Sequence, residues 1–168
     1  MAATRARPAR GRPTAATSML AFVAIVSLGA IVAALVSQHA FGMEPCPWCI
    51  LQRLIFAAIG VLALVALAIR ATTSTRIVAG LGVLLSLVGI AAALWQQLVA
   101  AKSASCNLTL ADKIVGWTQL DRFVPEAFEA RASCADAAVN LLGVPYAIWA
   151  AVAFVVCAVA LVRALKVA

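Results

Sequence analysis

Residues 44–69, EPCPWCILQRLIFAAIGVLALVALAI, join a C-x-x-C motif to a long apolar run. Within that run, from Cys49 to Ile69, only Gln52 and Arg53 are polar. A helix of about 20 residues, rising about 1.5 Å per residue, crosses the roughly 30 Å hydrocarbon core of a bilayer. The stretch therefore predicts a membrane-spanning helix that begins at a pair of cysteines.

The composition of the whole chain extends this prediction. Of its 168 residues, 65% are hydrophobic and 11% are charged, whereas an ordinary globular domain is about half apolar and a quarter charged. The mean hydropathy of +1.07 excludes both a soluble domain and a disordered chain. Three further apolar runs predict an all-α polytopic membrane protein, a four-transmembrane-helix bundle, with spans at about 18–38, 49–69, 76–101 and 142–163.

The first apolar run follows a basic segment, as the core of a signal peptide would. It is longer than the usual core of about 7 to 15 residues, and the residues after it make a poor cleavage site. We therefore expect a retained membrane anchor. Residues 1–17 should form a basic, disordered cytoplasmic tail, and residues 18–168 a single four-helix membrane domain.

The charges are segregated along the chain, which carries a net charge of +7. A nucleic-acid site would place basic residues among aromatic ones in a single patch. Here basic clusters alternate with acidic loops, which is the positive-inside signature of membrane topology. It predicts cytoplasmic termini and two loops on the opposite side, at about 39–48 and 102–141. The basic clusters are Arg5, Arg7, Arg10, Arg12, Arg70, Arg76, Arg163 and Lys166, and the acids are Glu44, Asp112, Asp121, Glu126, Glu129 and Asp136.

Cys46 and Cys49 form the C-x-x-C motif in the first of these loops. The spacing lets two sulfurs bond while one stays approachable, and unpaired N–H groups in a first helical turn favour a thiolate. A zinc site would need a second ligand pair, and Cys106 and Cys134 lie 28 residues apart. We interpret the motif as a redox dithiol, with zinc and a purely structural bridge as the alternatives.

Cys106 and Cys134 bracket the polar part of the second loop. As a structural staple, a disulfide that closes such a loop would contribute roughly 3–4 kcal/mol. A second pair beside a C-x-x-C motif also suits a relay, because thiol–disulfide exchange passes two electrons from pair to pair. We favour the relay over the staple. Cys157 lies deep in the fourth span and is expected to be inert.

Between Cys106 and Cys134, apolar residues recur at helical spacings. The pattern predicts a short amphipathic helix on the membrane surface, broken before Pro125. Packing within a soluble cap is the alternative. The apolar positions are Leu110, Ile114, Trp117, Val124 and Phe128.

Arg53 is the one Lys, Arg, Asp, Glu or His residue within the predicted second span. It follows Cys49 at i+4 and so lies on the same helical face. Ionisable residues inside membranes are costly and usually functional. The functional interpretation is a cation that stabilises the Cys49 thiolate and a reduced, anionic acceptor; the alternative is an ion pair with Glu44 or a lipid phosphate.

The dithiol at the lipid boundary needs an electron acceptor. No motif for haem, flavin or nucleotide binding occurs in the chain. A lipid-soluble quinone reaches this depth and takes two electrons and two protons, which makes it a plausible acceptor.

The run from Glu44 to Arg53 resembles the C-x-x-C-x-x-x-R signature of the DsbB family of bacterial disulfide-bond formation proteins. The resemblance covers about residues 19–165 and includes Cys134-Ala135-Asp136, Gly143 and Trp149. In the related vitamin K epoxide reductases the quinone-side C-x-x-C follows the loop pair, whereas here it precedes it.

The resemblance implies a protein-disulfide oxidoreductase of the bacterial inner membrane with periplasmic redox loops. It would reoxidise a DsbA-like thioredoxin-fold thiol oxidase and reduce ubiquinone or menaquinone, without a metal. Cys46 and Cys49 would be the quinone-linked pair, with Cys49 contacting quinone and Arg53 assisting it. Cys106 would form the mixed disulfide with the partner, and Cys134 would complete the loop pair.

Two positions depart from the pattern of the DsbB family. Residues 91–95 lack the His or Arg often found there, and Val139 stands where an aromatic residue is common. A vitamin K epoxide reductase-like enzyme, an outward carrier of reducing equivalents and a non-enzymatic scaffold with structural disulfides remain the alternative functions.

The segregated charges predict a topology that reporter fusions can test. A reporter fused after Ala168 should be cytoplasmic, and one inserted near Thr118 should be periplasmic, because Lys and Arg are retained on the cytoplasmic side. The opposite pattern would put the four loop cysteines in a reducing compartment and contradict the redox interpretation.

Overall fold

The computed structural model describes residues 15–102 and 110–168. Four of the helices in these ranges are long and apolar enough to cross a bilayer, which confirms the predicted all-α, four-helix membrane bundle. Cys106 and the first fourteen residues of the predicted tail lie outside the described ranges, and Ala15–Thr17 belong to the first helix. In chain order the elements are α1 (Ala15–Phe41), α2 (Pro47–Ile69), α3 (Thr72–Leu98), a 3₁₀ turn (Ala100–Lys102), α4 (Leu110–Thr118), α5 (Leu120–Phe123), α6 (Pro125–Phe128), β1 (Asn140–Leu141), β2 (Val144–Pro145) and α7 (Tyr146–Val167).

Helix α2 has the largest buried share of the four spans. Pro47 opens it, where the missing N–H costs nothing. Arg70 ends it in the left-handed conformation, with φ at 56°. Because α2 packs against both α1 and α3, residues near its first turns face other helices as well as lipid.

Close packing joins α2, α3 and α7 in the centre of the bundle. The rings of Phe56 on α2 and Phe154 on α7 stack with centroids 3.8 Å apart. Helix α3 approaches the same ring at Gly89, where an added methyl group would lie 2.5 Å from it. Only a residue without a side chain therefore allows this approach.

Apolar side chains also cover the outside of the bundle. Ile25, Leu84 and Val61 are all more than half exposed. A soluble protein would not display apolar rows of this kind on every long helix, whereas lipid tails solvate them.

The predicted amphipathic segment forms three short helices rather than one. Helix α4 ends at Thr118 because Gln119 takes a positive φ of 55°, and a second break at Val124 precedes Pro125. Ala111 and Val115 of α4 pack against the core of the bundle.

The predicted apolar positions of α4 point away from the protein. Leu110 is 63% exposed and Trp117 is 86% exposed. An outward apolar face fits a helix that lies on a membrane surface and does not fit packing within a soluble cap.

Helix α7 begins at Tyr146, four residues after the expected start of the fourth span. The intervening residues form a hairpin in which Leu141 pairs with Val144. Leu142 and Gly143 both have positive φ, at 55° and 79°, which is the geometry of a tight two-residue turn. The turn is the physical reason that the helix starts late.

Candidate redox site

The C-x-x-C motif lies where α2 begins, with Cys46 as its N-cap. The backbone N–H of Cys49 donates to Cys46 Sγ at 3.4 Å, and the two sulfurs are 2.9 Å apart. A disulfide needs about 2.05 Å, so only a small movement separates the pair from a bond. Cys46 is fully buried and Cys49 is half-buried, which leaves Cys49 as the more accessible of the two.

Cys134 lies against the same pair, although 85 residues separate it from Cys49 along the chain. The N–H groups of Arg131 and Ala132 donate to the carbonyl of Pro45 at 2.9 and 3.2 Å. These bonds hold the second loop beside the C-x-x-C motif. A small buried cluster results, formed by Cys46, Ala100, Cys134 and Ala137.

A hydrogen bond from the Cys46 thiol lowers the pKa of Cys134 and raises the pKa of Cys46 itself. Contact with Cys49 and burial raise the pKa of Cys46 further. The arrangement favours a thiolate at Cys134 and a protonated sulfur at Cys46. In the reduced state the two sulfurs are therefore in direct contact, which is the proximity that an exchange between them requires.

Two glutamines form a hydrogen-bonded chain that ends at Cys49. The amide nitrogen of Gln96, on α3, donates to Cys49 Sγ at 3.2 Å. Gln52 in turn donates to Gln96 Oε1 at 2.6 Å. Sequence reasoning missed both residues. A signal was available in the sequence, because each glutamine is an uncharged polar residue inside an otherwise apolar span. Burying such a residue without a hydrogen-bond partner is costly.

Arg53 is buried and hydrogen-bonded to three oxygen atoms of two other helices. Its Nη1 donates to Gln38 Oε1 at 2.8 Å and to the carbonyl of Ala127 at 2.9 Å, and its Nη2 donates to the carbonyl of Ala34 at 3.3 Å. Gln38 also donates to the carbonyl of Glu126 at 3.2 Å. Arg53 thus connects α2 to α1 and to α6, and within the described residues it makes no ion pair with Glu44.

A cavity of about 1170 Å³ opens beside these side chains. Its walls are largely apolar and include the ring of Phe56. Polar residues from several segments line it as well, among them Glu44 and Asp136, and four of the polar lining residues lie together: Cys49, Gln52, Arg53 and Gln96. An apolar cavity with a few convergent polar groups is the usual form of a small-molecule site.

The part of the chain that the structure describes holds no group of three or more His, Cys, Asp or Glu side chains suited to a metal ion. Four of the five predicted site residues come together: Cys46, Cys49 and Cys134 through their sulfurs, and Arg53 through the cavity that it shares with Cys49. The fifth, Cys106, lies outside the described ranges. Cys157 is buried far along α7, 3.8 Å from the hydroxyl of Ser27.

Replacing Cys46 by Ala should raise the pKa of Cys134, because the thiolate of Cys134 loses its hydrogen-bond donor. In fully reduced protein, the midpoint pH for iodoacetamide labelling of Cys134, followed by mass spectrometry, should move upward. Cys157→Ala is the matched control and should leave the midpoint unchanged. An unshifted midpoint in the Cys46 variant would contradict the contact between the two sulfurs.

Comparison with known proteins agrees with this geometry. The family model described as "Disulfide bond formation protein DsbB" matches residues 16–164. Proteins named disulfide bond formation protein B from Ralstonia nicotianae and Pseudomonas syringae pv. tomato are 33% and 34% identical to the chain, over 85% and 83% of its length and 89% and 83% of theirs. One from Aromatoleum aromaticum is 37% identical over 73% of the chain and 75% of its own length. With a C-x-x-C motif at the head of a membrane helix, a loop cysteine against it and this match over most of its length, the chain belongs to the DsbB family of disulfide bond formation proteins.

Proposed function

We propose that this protein reoxidises a DsbA-like thioredoxin-fold thiol oxidase in the periplasm and passes the electrons through two cysteine pairs to membrane quinone. The observation that carries the proposal is the position of Cys46, whose sulfur contacts both Cys49 and Cys134. A sulfur with two such neighbours can exchange one disulfide partner for the other. The residues assigned to the site are Cys46, Cys49, Cys106, Cys134 and Arg53.

Membership of the DsbB family makes the protein a protein-disulfide oxidoreductase that acts in disulfide-bond formation. Family membership leaves the roles of individual residues in this chain to be assigned. The contacts of the described residues support the following assignment.

The first exchange takes place in the second loop. One thiolate of the reduced partner attacks Cys106 of a Cys106–Cys134 disulfide and releases Cys134 as a thiolate. The second thiolate of the partner then closes the partner's own disulfide and releases Cys106. Two electrons have moved from the partner to the loop pair, in the manner of thiol–disulfide exchange.

The second exchange transfers these electrons to the C-x-x-C pair. The Cys134 thiolate attacks Cys46 of a Cys46–Cys49 disulfide, and the electron pair of the broken bond remains on Cys49. Cys106 then attacks Cys134, which restores the loop disulfide and releases Cys46. The contact of Cys134 with Cys46 supports this step, because it places the attacking sulfur against the sulfur that it attacks.

The cavity beside Cys49 supports quinone as the acceptor. Its apolar walls and the ring of Phe56 suit a flat apolar ring, and the donors of Arg53 and Gln96 suit two carbonyl oxygens. When bound, quinone supplies an acceptor for two electrons and two protons. Cys49, half-buried at the cavity wall, delivers the electrons, and Arg53 provides positive charge where negative charge develops.

The charges at the two ends of the bundle support the orientation. Arg70 ends α2, Arg76 lies in the first turns of α3, and Arg163 and Lys166 lie in the last turns of α7. These four cations share one end, opposite the cysteines. We assign that end to the cytoplasm, together with both termini and the basic tail of residues 1–17, and place the single membrane domain of residues 18–168 in the inner membrane.

Turnover by purified protein in lipid vesicles tests the proposed function. Wild-type protein should reduce ubiquinone or menaquinone when a reduced thioredoxin-fold oxidase is supplied. Cys106→Ala should stop oxidation of the partner but leave quinone reduction by a small dithiol, because the Cys46–Cys49 pair remains. Cys49→Ser should stop both reactions.

Cys157→Ser is the matched control for these variants, because Cys157 is buried away from the other sulfurs. It should turn over at the wild-type rate. Unchanged quinone reduction by Cys49→Ser would reject the redox role of the C-x-x-C pair. If the Cys106→Ala variant oxidised the partner at the normal rate, the loop disulfide would have only a structural role.

Arg53→Ala should lower quinone-dependent turnover by a factor of about 100 to 1,000, the usual cost of losing a group that stabilises developing charge. Arg53→Lys should retain partial activity, since it keeps the charge but not the planar fork that reaches several oxygens. Quinone reduction driven by a small dithiol measures the effect without the partner. The control is Arg163→Ala, which changes an exposed arginine at the other end of the bundle. Equal rates for the Arg53→Ala and Arg163→Ala variants would show that Arg53 does not contribute to quinone reduction.

A further inference from the structure

A pair of buried amides, Gln52 on α2 and Gln96 on α3, crosses the interior of the bundle next to Cys49. Each side chain is only 5% exposed. Burying a polar group is costly unless it is hydrogen-bonded, and apolar residues at the same two positions would pack without this cost. Because apolar residues could join the two helices at lower cost, we expect the two amides to have a further role.

The hydrogen bonds give the pair a direction. Gln52 donates to the oxygen of the Gln96 amide at 2.6 Å. With its oxygen engaged, Gln96 turns its nitrogen toward Cys49 Sγ, at 3.2 Å. An N–H group directed at sulfur binds a thiolate more strongly than a thiol, because hydrogen bonds to a charged partner are the stronger ones.

We propose that Gln96 is a catalytic residue that stabilises the Cys49 thiolate by a direct hydrogen bond, and that Gln52 is a positioning residue that orients the Gln96 amide. The inference rests on the proposed function in one respect, that Cys49 is the leaving sulfur of the Cys46–Cys49 disulfide. When Cys134 bonds to Cys46, the bond between Cys46 and Cys49 breaks and its electron pair stays on Cys49. Gln96 stabilises that charge, and no proton leaves the amide.

Gln96 and Arg53 have separate tasks in this arrangement. The hydrogen bonds of Arg53 go to Gln38 and to the carbonyls of Ala34 and Ala127, not to Cys49. Arg53 therefore acts on the Cys49 sulfur through its charge, at a distance. The direct donor from another helix is Gln96, which also lines the cavity and meets the sulfur where electrons leave the protein.

Labelling of Cys49 by iodoacetamide tests the inference without quinone or partner. The full-length protein is fully reduced in detergent, and mass spectrometry resolves the adduct on Cys49 from that on Cys46. At pH 7, Gln96→Met should lower the labelling rate of Cys49 about tenfold, since a hydrogen bond to a charged group is worth about one factor of ten or more. The loss should vanish at high pH, where the thiolate forms in every variant.

Gln97→Met is the matched control, because it makes the same change one residue along α3, on a different face of the helix. It should label as wild type does. Equal rates for the Gln96 and Gln97 variants, or a loss that persists at high pH, would overturn the role of Gln96. If Gln96→Met does not fold, as judged by thermal unfolding in detergent, Gln96→Asn replaces it. The shorter amide cannot reach the sulfur, so it should give the same pH-dependent loss, and wild-type labelling would overturn the inference.

The role of Gln52 is tested by combining the two changes. Gln52→Met should lower the labelling rate in the same direction but less, and the double variant should be no slower than Gln96→Met alone, because both changes remove one interaction. Additive losses would show that Gln52 acts independently and would overturn its positioning role. If the Gln96 variant showed the expected loss of Cys49 labelling but the wild-type protein did not reduce quinone, the result would count against the proposed function and not against this inference.

Discussion

The guanidinium of Arg53 joins the membrane bundle to the loop that carries Cys134. A buried cation at the edge of a membrane is costly unless it is hydrogen-bonded, and three oxygens from α1 and α6 accept hydrogen bonds from it here. Because one acceptor is the carbonyl of Ala127, the cost of burying the charge is offset only while α6 stays in place. The same residue thus supplies positive charge to the cavity and holds the second loop over the bundle.

Within α2, the polar side chains lie in the first two turns. Cys49, Gln52, Arg53 and Phe56 follow one another at spacings of three, one and three, so they share a helical face. That face lines the cavity, while the rest of α2 is apolar and packs against its neighbours. A low dielectric constant around these groups strengthens each charge interaction relative to water. Few polar residues are therefore enough to control the reactivity of one sulfur.

Three of the cysteines meet at a single sulfur. Cys46 is fully buried and contacts Cys49 on one side and Cys134 on the other. Backbone bonds from Arg131 and Ala132 to Pro45 hold the two loops together at this point. The exchange between pairs that we propose depends on this position of Cys46 between two sulfurs.

The sequence by itself determined the four spans, because an apolar run of sufficient length has no other stable place than a bilayer. It also determined that a C-x-x-C motif lies at the start of the second span, because the apolar run begins at Cys49. Only the tertiary structure decided which sulfur Cys134 meets, which oxygens Arg53 binds, and that Gln96 donates to Cys49. These partners lie between 15 and 88 residues apart along the chain, and local periodicity carries no information on contacts between helices. The hairpin that delays α7 and the breaks at Gln119 and Val124 depend likewise on backbone conformations that apolar periodicity does not specify.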